Sequence, residues 1–343
     1  MNKDVFMSAT IRISVVLVAL LSAARGEAGP DRDAAAAALA GPLALQAGAG
    51  AESGSQQTWS RTFKTGPHGA LELWNLAGDV TVVGGGGDSI AVKAIKRLHR
   101  GGGPSDLDRI EITATETAGR VSIRTVFPEM KHVSAEVEFH LQVPAESAVT
   151  VQTVSGDVGV EKVTGPVVLE SVSGDVTVSG ARRLIRAKSV SGDVTLTDAA
   201  GEALDVNSVS GDLLLKGLKA RGCTLQTVSG SVIASGAACD RAEMKSVSGD
   251  VEYSGSLAPG GRYDFKSHSG DIRLTLGGST GFALSASTFS GDLSSQLPLS
   301  NVRESERPRH GPRTQRLQGT FGDGSAQVDV ATFSGSVVLA GGK

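Results

Sequence analysis

Six residues, Ser171-Val172-Ser173-Gly174-Asp175-Val176, are rewritten along this chain, and their spacing constrains the fold more than any other feature. Copies are centred on Gly156, Gly174, Gly192, Gly211, Gly230, Gly249, Gly270, Gly291 and Gly335. Successive copies lie 18, 18, 19, 19, 19, 21 and 21 residues apart, followed by a gap of 44 that is close to two periods. Self-similarity at about 20 residues marks a solenoid, in which one repeat is one coil that cannot bury its apolar face alone. The expected fold is therefore all-β: a parallel β-solenoid with two short strands per coil and coils of 18–21 residues. Forty-five glycines and 4% aromatic residues suit a chain that turns every few residues.

Within each coil, alternation assigns the faces. Around Gly211, Leu204, Val206 and Ser208 share one face, and Leu213 and Leu215 share the next. The corresponding inward sets are Ile185, Ala187 and Ser189 with Val194 and Leu196, and Tyr263, Phe265 and Ser267 with Ile272 and Leu274. Glycine at the turn is expected to supply positive φ, and the following Asp to bond nearby backbone N–H groups. No aromatic residue falls between Phe139 and Tyr253, where coils are short. Where coils lengthen to 21, Tyr253, Tyr263, Phe265, Phe282, Phe289 and Phe333 appear, as filling a wider section requires.

Outside the array, residues 1–24 read as an export signal. Lys3 and Arg12 precede the apolar run Ile13–Leu21, and cleavage is expected after Ala24 or Ala28. The run is short of the ~20 residues needed to span a bilayer, so no stable membrane span is expected once the signal is removed. Residues 25–57 read as an Ala/Gly-rich linker with little to bury. Residues 58–148 hold a first coil centred on Gly78 and then an interruption, 84–148. Its period-2 segments Ile90–Ile95, Ile110–Thr115, Arg120–Val126 and Ala135–Val143 predict strands that cap the N-terminal end, with Gly101–Asp106 a mobile loop. Residues 149–343 are the solenoid repeats, broken by a polar loop at 298–319. The chain stops soon after its last strand, so either that loop folds over an open end or something else covers it.

Several constellations could carry chemistry. Asp157, Asp175, Asp193, Asp212, Asp250, Asp271 and Asp292 would stack into a carboxylate ladder, which calcium could bridge. Calcium-binding β-rolls place two ligand turns on each coil, whereas here there is one Asp per coil, replaced at Ser231 and Ser336. Turn capping is therefore the favoured reading, with no metal and no cofactor. Thr153, Ser171, Ser189, Ser208, Thr227, Ser246, Ser267, Thr288 and Thr332 share parity with the core and predict an interior hydroxyl ladder. Beside it runs the rank Val172, Val190, Val209, Val228 and Val247, interrupted by His268. Thr177, Thr195, Leu214 and Ile233 form an uncharged outer rank, a candidate contact patch. Arg303, Arg307, Arg309, Arg313 and Arg316 in the polar loop read as a solvated excursion or, alternatively, a docking site for an acidic partner. Cys223 and Cys239 fall near one corner of adjacent coils; the spacing leaves open whether they pair.

The hexad, the copy Leu71-Glu72-Leu73-Trp74-Asn75-Leu76-Ala77-Gly78-Asp79-Val80, and the entry Leu141-Gln142-Val143-Pro144 together resemble a known group. It is a bacterial family of unknown function, built on Ser-Gly-Asp repeats, whose members are labelled adhesins. Phe321-Gly322-Asp323-Gly324 followed by Val328–Val338 is similar to that family's closing coil. The resemblance covers about residues 60–340 and implies a β-solenoid at the cell envelope, with no catalytic residues to carry over.

For function, the formal charge of −3 leaves no electrostatic footprint for nucleic acid. Gly84–Gly87 and Gly101–Gly103 lack the Lys-Ser/Thr of a nucleotide loop. The expectation is an exported, non-enzymatic, adhesin-like scaffold or interaction module in the periplasm, on the surface or outside the cell. Its partner would be an envelope protein or polysaccharide. Two alternatives stand beside it: a homo-oligomer polymerising through the C-terminal coil edge, and a carbohydrate-active solenoid enzyme.

Overall fold

The computed structural model describes residues 55–99, 104–127, 135–304 and 314–342. The segment read as a signal and nearly all of the linker lie outside these residues. In chain order come β1 (Gln56–Lys64), β2 (Ala70–Ala77), β3 (Val80–Gly85), β4 (Ser89–Leu98), the short helix α1 (Pro104–Arg109), β5 (Glu111–Thr117), β6 (Arg120–Val126) and β7 (Ala135–Pro144). The repeats then supply β8 (Ala148–Ser155), β9 (Val158–Glu161), β10 (Pro166–Ser173), β11 (Val176–Ser179), β12 (Arg183–Lys188), β13 (Val194–Thr197), β14 (Ala200–Asn207), β15 (Leu213–Lys216) and β16 (Lys219–Gln226). Two long strands, β17 (Val232–Ser248) and β18 (Val251–Ser269), each run on from one coil into the next. Last come β19 (Ile272–Gly277), β20 (Phe282–Ser290), β21 (Leu293–Ser295), β22 (Ser300–Glu304), β23 (Gln315–Phe321), β24 (Ala326–Ser334) and β25 (Val337–Gly341). The fold is all-β and β-solenoid-like, with every strand in one hydrogen-bonded sheet.

Parallel pairing builds the array from equivalent positions. Val176 stands opposite Val194, Val194 opposite Leu213, and Leu213 opposite Val232, so each hexad lies directly on the next. Alternation sends Val149, Val151, Leu169, Val176 and Val178 inward, where all are nearly inaccessible. The corner between coils is filled by Val163, Ala181, Ala199, Leu218 and Ala237, also buried. One inward assignment needs correcting: Ile185 is 47% exposed and Leu184 is buried instead. The register between β10 and β12 shifts after Val167, so Ile185 is an extra residue and its side chain is turned outward.

The wide coils are filled as their aromatic content suggests, but only in part. Tyr253, Tyr263, Phe265 and Phe282 are fully buried, and Tyr253 packs its ring 5.3 Å from that of Phe265. Phe289 and Phe333 are not core residues. They follow the inward Thr288 and Thr332 and so point out.

The interruption at 84–148 forms strands β4 to β7. Part of the expected mobile loop is helix α1, whose Leu107 carbonyl accepts from Lys96 Nζ at 3.0 Å. β6 pairs in parallel with β2, and β7 with β3, on the side away from the repeats. Antiparallel strands lie beyond them: β5 on β6, and β4 then β1 on β7. The first strand opens at Gln56, so the end of the segment read as linker is strand.

At the other end the stacking order departs from the chain order. β24 lies between β18 and β20, and β25 between β19 and β21. The Gly335 coil is thus inserted between the coils of Gly270 and Gly291, and the 44-residue gap is not two further periods. The last strand is not a bare edge, which removes the feature that suggested polymerisation through it. The polar excursion is not simply a loop either: β23 pairs antiparallel with β20, and β22 with β23. The last coil is covered by the Gly291 coil rather than by this segment, which lies against β20 instead.

Candidate functional site

The hexad is the natural place to seek a site, because it repeats polar groups at one corner of every coil. Its glycines come first. A Cβ at Gly174 would lie 2.1 Å from the Gly156 carbonyl oxygen, and one at Gly270 would lie 2.1 Å from that of Gly249. Gly192, Gly211, Gly249 and Gly270 do not adopt positive φ, unlike Gly156 at 128°. Close backbone approach, not backbone handedness, is the requirement common to the series.

The carboxylates reach along the stack. Asp79 Oδ1 accepts from the Asp157 backbone N–H at 2.9 Å, and Asp157, Asp175 and Asp193 each accept from the next coil's Asp N–H at 2.8 Å. Asp212 Oδ1 accepts from Ser231 N–H, Asp250 from Asp271, and Asp271 from Ser336. These Asp residues therefore clasp the following coil as well as sitting at their own turn. Among the described residues no group of three or more His, Cys, Asp or Glu side chains is placed to hold a metal ion.

The hydroxyl ladder is buried, and it too bonds between coils. Ser189 donates to the Gly174 carbonyl and Ser208 to that of Gly192, both at 3.0 Å. Thr227, Ser246, Ser267 and Thr332 donate likewise to Gly211, Gly230, Gly249 and Gly270. Thr288 donates to Gly335, which confirms the inserted order of the last coil. Asn75 fills this place in the first coil and donates to the carbonyls of Gly78 and Val137. Ser171 Oγ alone of the rank is buried without a partner among the described residues.

Cys223 and Cys239 form a disulfide with Cα atoms 6.5 Å apart, joining β16 to β17. Beside it, Tyr263 donates to the Cys239 carbonyl and accepts from Ala258 N–H. Burial pushes the phenols of Tyr253 and Tyr263 above their ordinary values.

The outer ranks are solvent-facing. Thr177 is exposed, while Thr195, Leu214 and Ile233 are half-buried and stand side by side on successive coils. The next two members of that rank, Glu252 and Arg273, bond each other at 2.6 Å. On the other strand face, Gln152 donates to Glu170, and Arg186 bridges Glu170 and Asp205. Arg303 is exposed on β22, and Arg316 lies on β23 opposite Ser287. Arg307, Arg309 and Arg313 lie outside the described residues. A shallow groove of about 430 Å³ near Gly260, Ser285 and Gly324 is lined by one carboxylate, Asp329, and one guanidinium, Arg262. A glycosidase pair would require two carboxylates there.

One surface feature departs from the expectation that His268 interrupts the valine rank and that Phe289 and Phe333 fill the core. His268, Phe333 and Phe289 continue the valine rank as three stacked rings, with centroids 4.9 and 4.7 Å apart. Parity held the signal, because each of these residues follows an inward Ser or Thr.

The family model described as Toastrack DUF4097 matches residues 164–340. No curated protein matches the chain. Among solved structures, a "putative cell adhesion protein" from Clostridium sporogenes ATCC 15579 is 10% identical, with 84% of this chain and 100% of that chain covered and a TM-score of 0.24. A "putative adhesin" from Parabacteroides merdae ATCC 43184 is 10% identical, with 65% of this chain and 93% of that chain covered and a TM-score of 0.26.

Proposed function

This chain belongs to the Toastrack DUF4097 family, and we propose that it is an exported, non-enzymatic, adhesin-like scaffold or interaction module of the bacterial cell envelope. In this reading the coils of 18–21 residues are a rigid core, and the strands of residues 84–148 cap its N-terminal end. The observation that carries the proposal is what becomes of the repeated polar groups. Hexad hydroxyls and carboxylates alike bond the neighbouring coil, so the motif serves to build the array. What remains for a partner is a set of long, regular outer ranks on a scaffold with closely spaced backbone. An envelope protein or polysaccharide suits such a surface, because a rigid array presents many weak contacts at once without an ordering penalty.

The test is binding of the purified protein to cell-wall and outer-membrane fractions from its own source, followed by co-sedimentation. Saturable retention that free protein competes away is the expected result. Retention that rises linearly with concentration and is not competed would sink the adhesive reading.

A further inference from the structure

The rank beginning at Val154 runs over the outer corner of every repeat coil. Val154 is 44% exposed, Val209 37% and Phe333 39%. Serines on successive coils bridge directly beside it, Ser173 to Ser191 and Ser191 to Ser210, so its members lie level from coil to coil. At its far end the interplanar angles of 10° and 4° show that His268, Phe333 and Phe289 stack flat along the same line. The result is a line of exposed and half-exposed apolar side chains ending in three aromatic rings.

We propose that this ridge is a self-association surface, which pairs two copies of the chain side by side about a two-fold axis parallel to the stack. Two observations select a second copy in this orientation. The first is the charge on either flank. In each coil the chain runs from a polar outward position, through the inward hydroxyl, to the ridge, and then to the Ser-Gly-Asp corner. One flank of the ridge is therefore the Asp rank; the other runs Gln152, Glu170, Lys188, Asn207, Gln226, Lys245 and Lys266, net positive with Glu170 its one acidic member. Its three lysines also pair with Asp205, Glu243 and Asp264 of their own chain. Rotation about an axis parallel to the stack sets each chain's Asp flank against its partner's Lys flank. Coil lies opposite equivalent coil, so Lys245 faces Asp250 of the partner subunit and Lys266 faces Asp271 of the partner subunit. An axis perpendicular to the stack would put Asp on Asp and Lys on Lys, which is disfavoured. The parallel pairing also brings the two ring trios together, which a perpendicular axis would not.

The second observation is area. Coils spaced about 4.8 Å apart make a ridge about 38 Å long. A strip about 10 Å wide would bury about 760 Å² in total, which falls in the weak, reversible class of interface. The expected species is a concentration-dependent dimer, not an obligate one.

The experiment is sedimentation velocity on the full chain from about 1 to 200 μM, with a thermal melt of each variant to establish that it is folded. A monomer–dimer equilibrium is expected, weakened about tenfold or more by Phe333→Ser, since a buried aromatic anchor is lost twice by symmetry. Val209→Lys should act in the same direction. Lys245→Glu and Asp250→Lys should each weaken self-association about fivefold, because each creates two like-charge contacts at the partly screened rim. Mixing those two variants should restore it, since the carboxylate introduced at position 245 of one chain would then meet the ammonium introduced at position 250 of the other. Restoration on mixing cannot come from a contact within one chain, so it separates this interface from a merely destabilised fold. A chain that stays monomeric throughout the range overturns the proposal. So does a dimer that is indifferent to Phe333→Ser and Val209→Lys, or one that mixing does not restore.

Discussion

The two ends of the array are closed by the same manoeuvre, run in opposite chain directions. At the N-terminal end the chain's first coil, β2–β3, is not outermost; β6 and β7, which come later, lie outside it. At the C-terminal end the last coil, β24–β25, is not outermost either; β20 and β21, which come earlier, lie outside it. Each terminal coil is held between two others, where a solenoid would ordinarily fray. The ends differ in what backs the outer coil. Beyond β7 stands β4, which buries Ile90, Val92 and Ala94, and then β1, which buries Phe63. Beyond β20 stands β23, whose Leu317 is its one buried large apolar side chain, and then β22, exposed throughout. Local opening follows buried apolar contact, so the C-terminal end should open more readily.

Four measurements test this contrast. The largest effect is expected from core truncation at each end. Phe139→Ala in β7 and Phe282→Ala in β20 each empty a fully buried site and should cost about 3–5 kcal/mol in denaturant unfolding. Native-state hydrogen exchange should show Phe282→Ala opening β20–β25 alone, while Phe139→Ala lowers protection across β2–β9. Equal spreading from both sites would refute the asymmetry.

Next in size is the staple at the centre. Reducing Cys223–Cys239, which closes 16 residues, should cost about 2–3 kcal/mol. Both end units should lose protection to a similar degree, because the bridge lies between them. A loss confined to one end would move the cooperative boundary.

The clasps come third. Asp79→Ala removes the acceptor of Asp157 N–H, and Asp271→Ala that of Ser336 N–H. Each joins coils that are distant in the chain and should cost about 1 kcal/mol. Asp175→Ala, within the regular array, is the control. A far larger cost at Asp271 than at Asp175 would show that the inserted coil relies on this one bond.

The smallest effect is one of pH. Burial raises the phenols of Tyr253 and Tyr263 above the ordinary 10.0. The unfolded chain therefore ionises first as pH rises, so stability present below pH 10 is lost as pH climbs through the raised folded values. Chemical denaturation at pH 9 and at pH 11 should show the loss, and Tyr253→Phe with Tyr263→Phe should flatten it. An unchanged slope in the double variant would place the alkaline sensitivity elsewhere.

Much of this molecule is legible in its sequence, for a simple physical reason. A repeat with period-2 flanks has one way to bury Val176, Val194 and Leu213 together, and that way is to stack. The inward hydroxyl rank follows from the same parity. So does the outward direction of Phe289 and Phe333, although core filling is the more tempting reading of an aromatic residue. The Asp residues are expected from the sequence to cap their own turns; the bonds they make run instead to the next coil, a reach that does not follow from a turn considered alone. Ile185 was misassigned because a one-residue bulge reverses parity without any local mark in composition.

Which coil lies beside which is the decision the sequence leaves open. The hexads present nearly the same backbone donors and acceptors, so Gly270 could be followed by Gly291 as readily as by Gly335 where hydrogen bonding is concerned. Tertiary structure decides it, through the connections and side-chain volumes that differ between coils. β23 must return alongside β20, and that return leaves β24 the place between β18 and β20. The repeat thus determines that the chain stacks, and what each position in a coil is for. The order of the stack, and with it the absence of a bare last strand and the line of three rings along its corner, belongs to the packing alone.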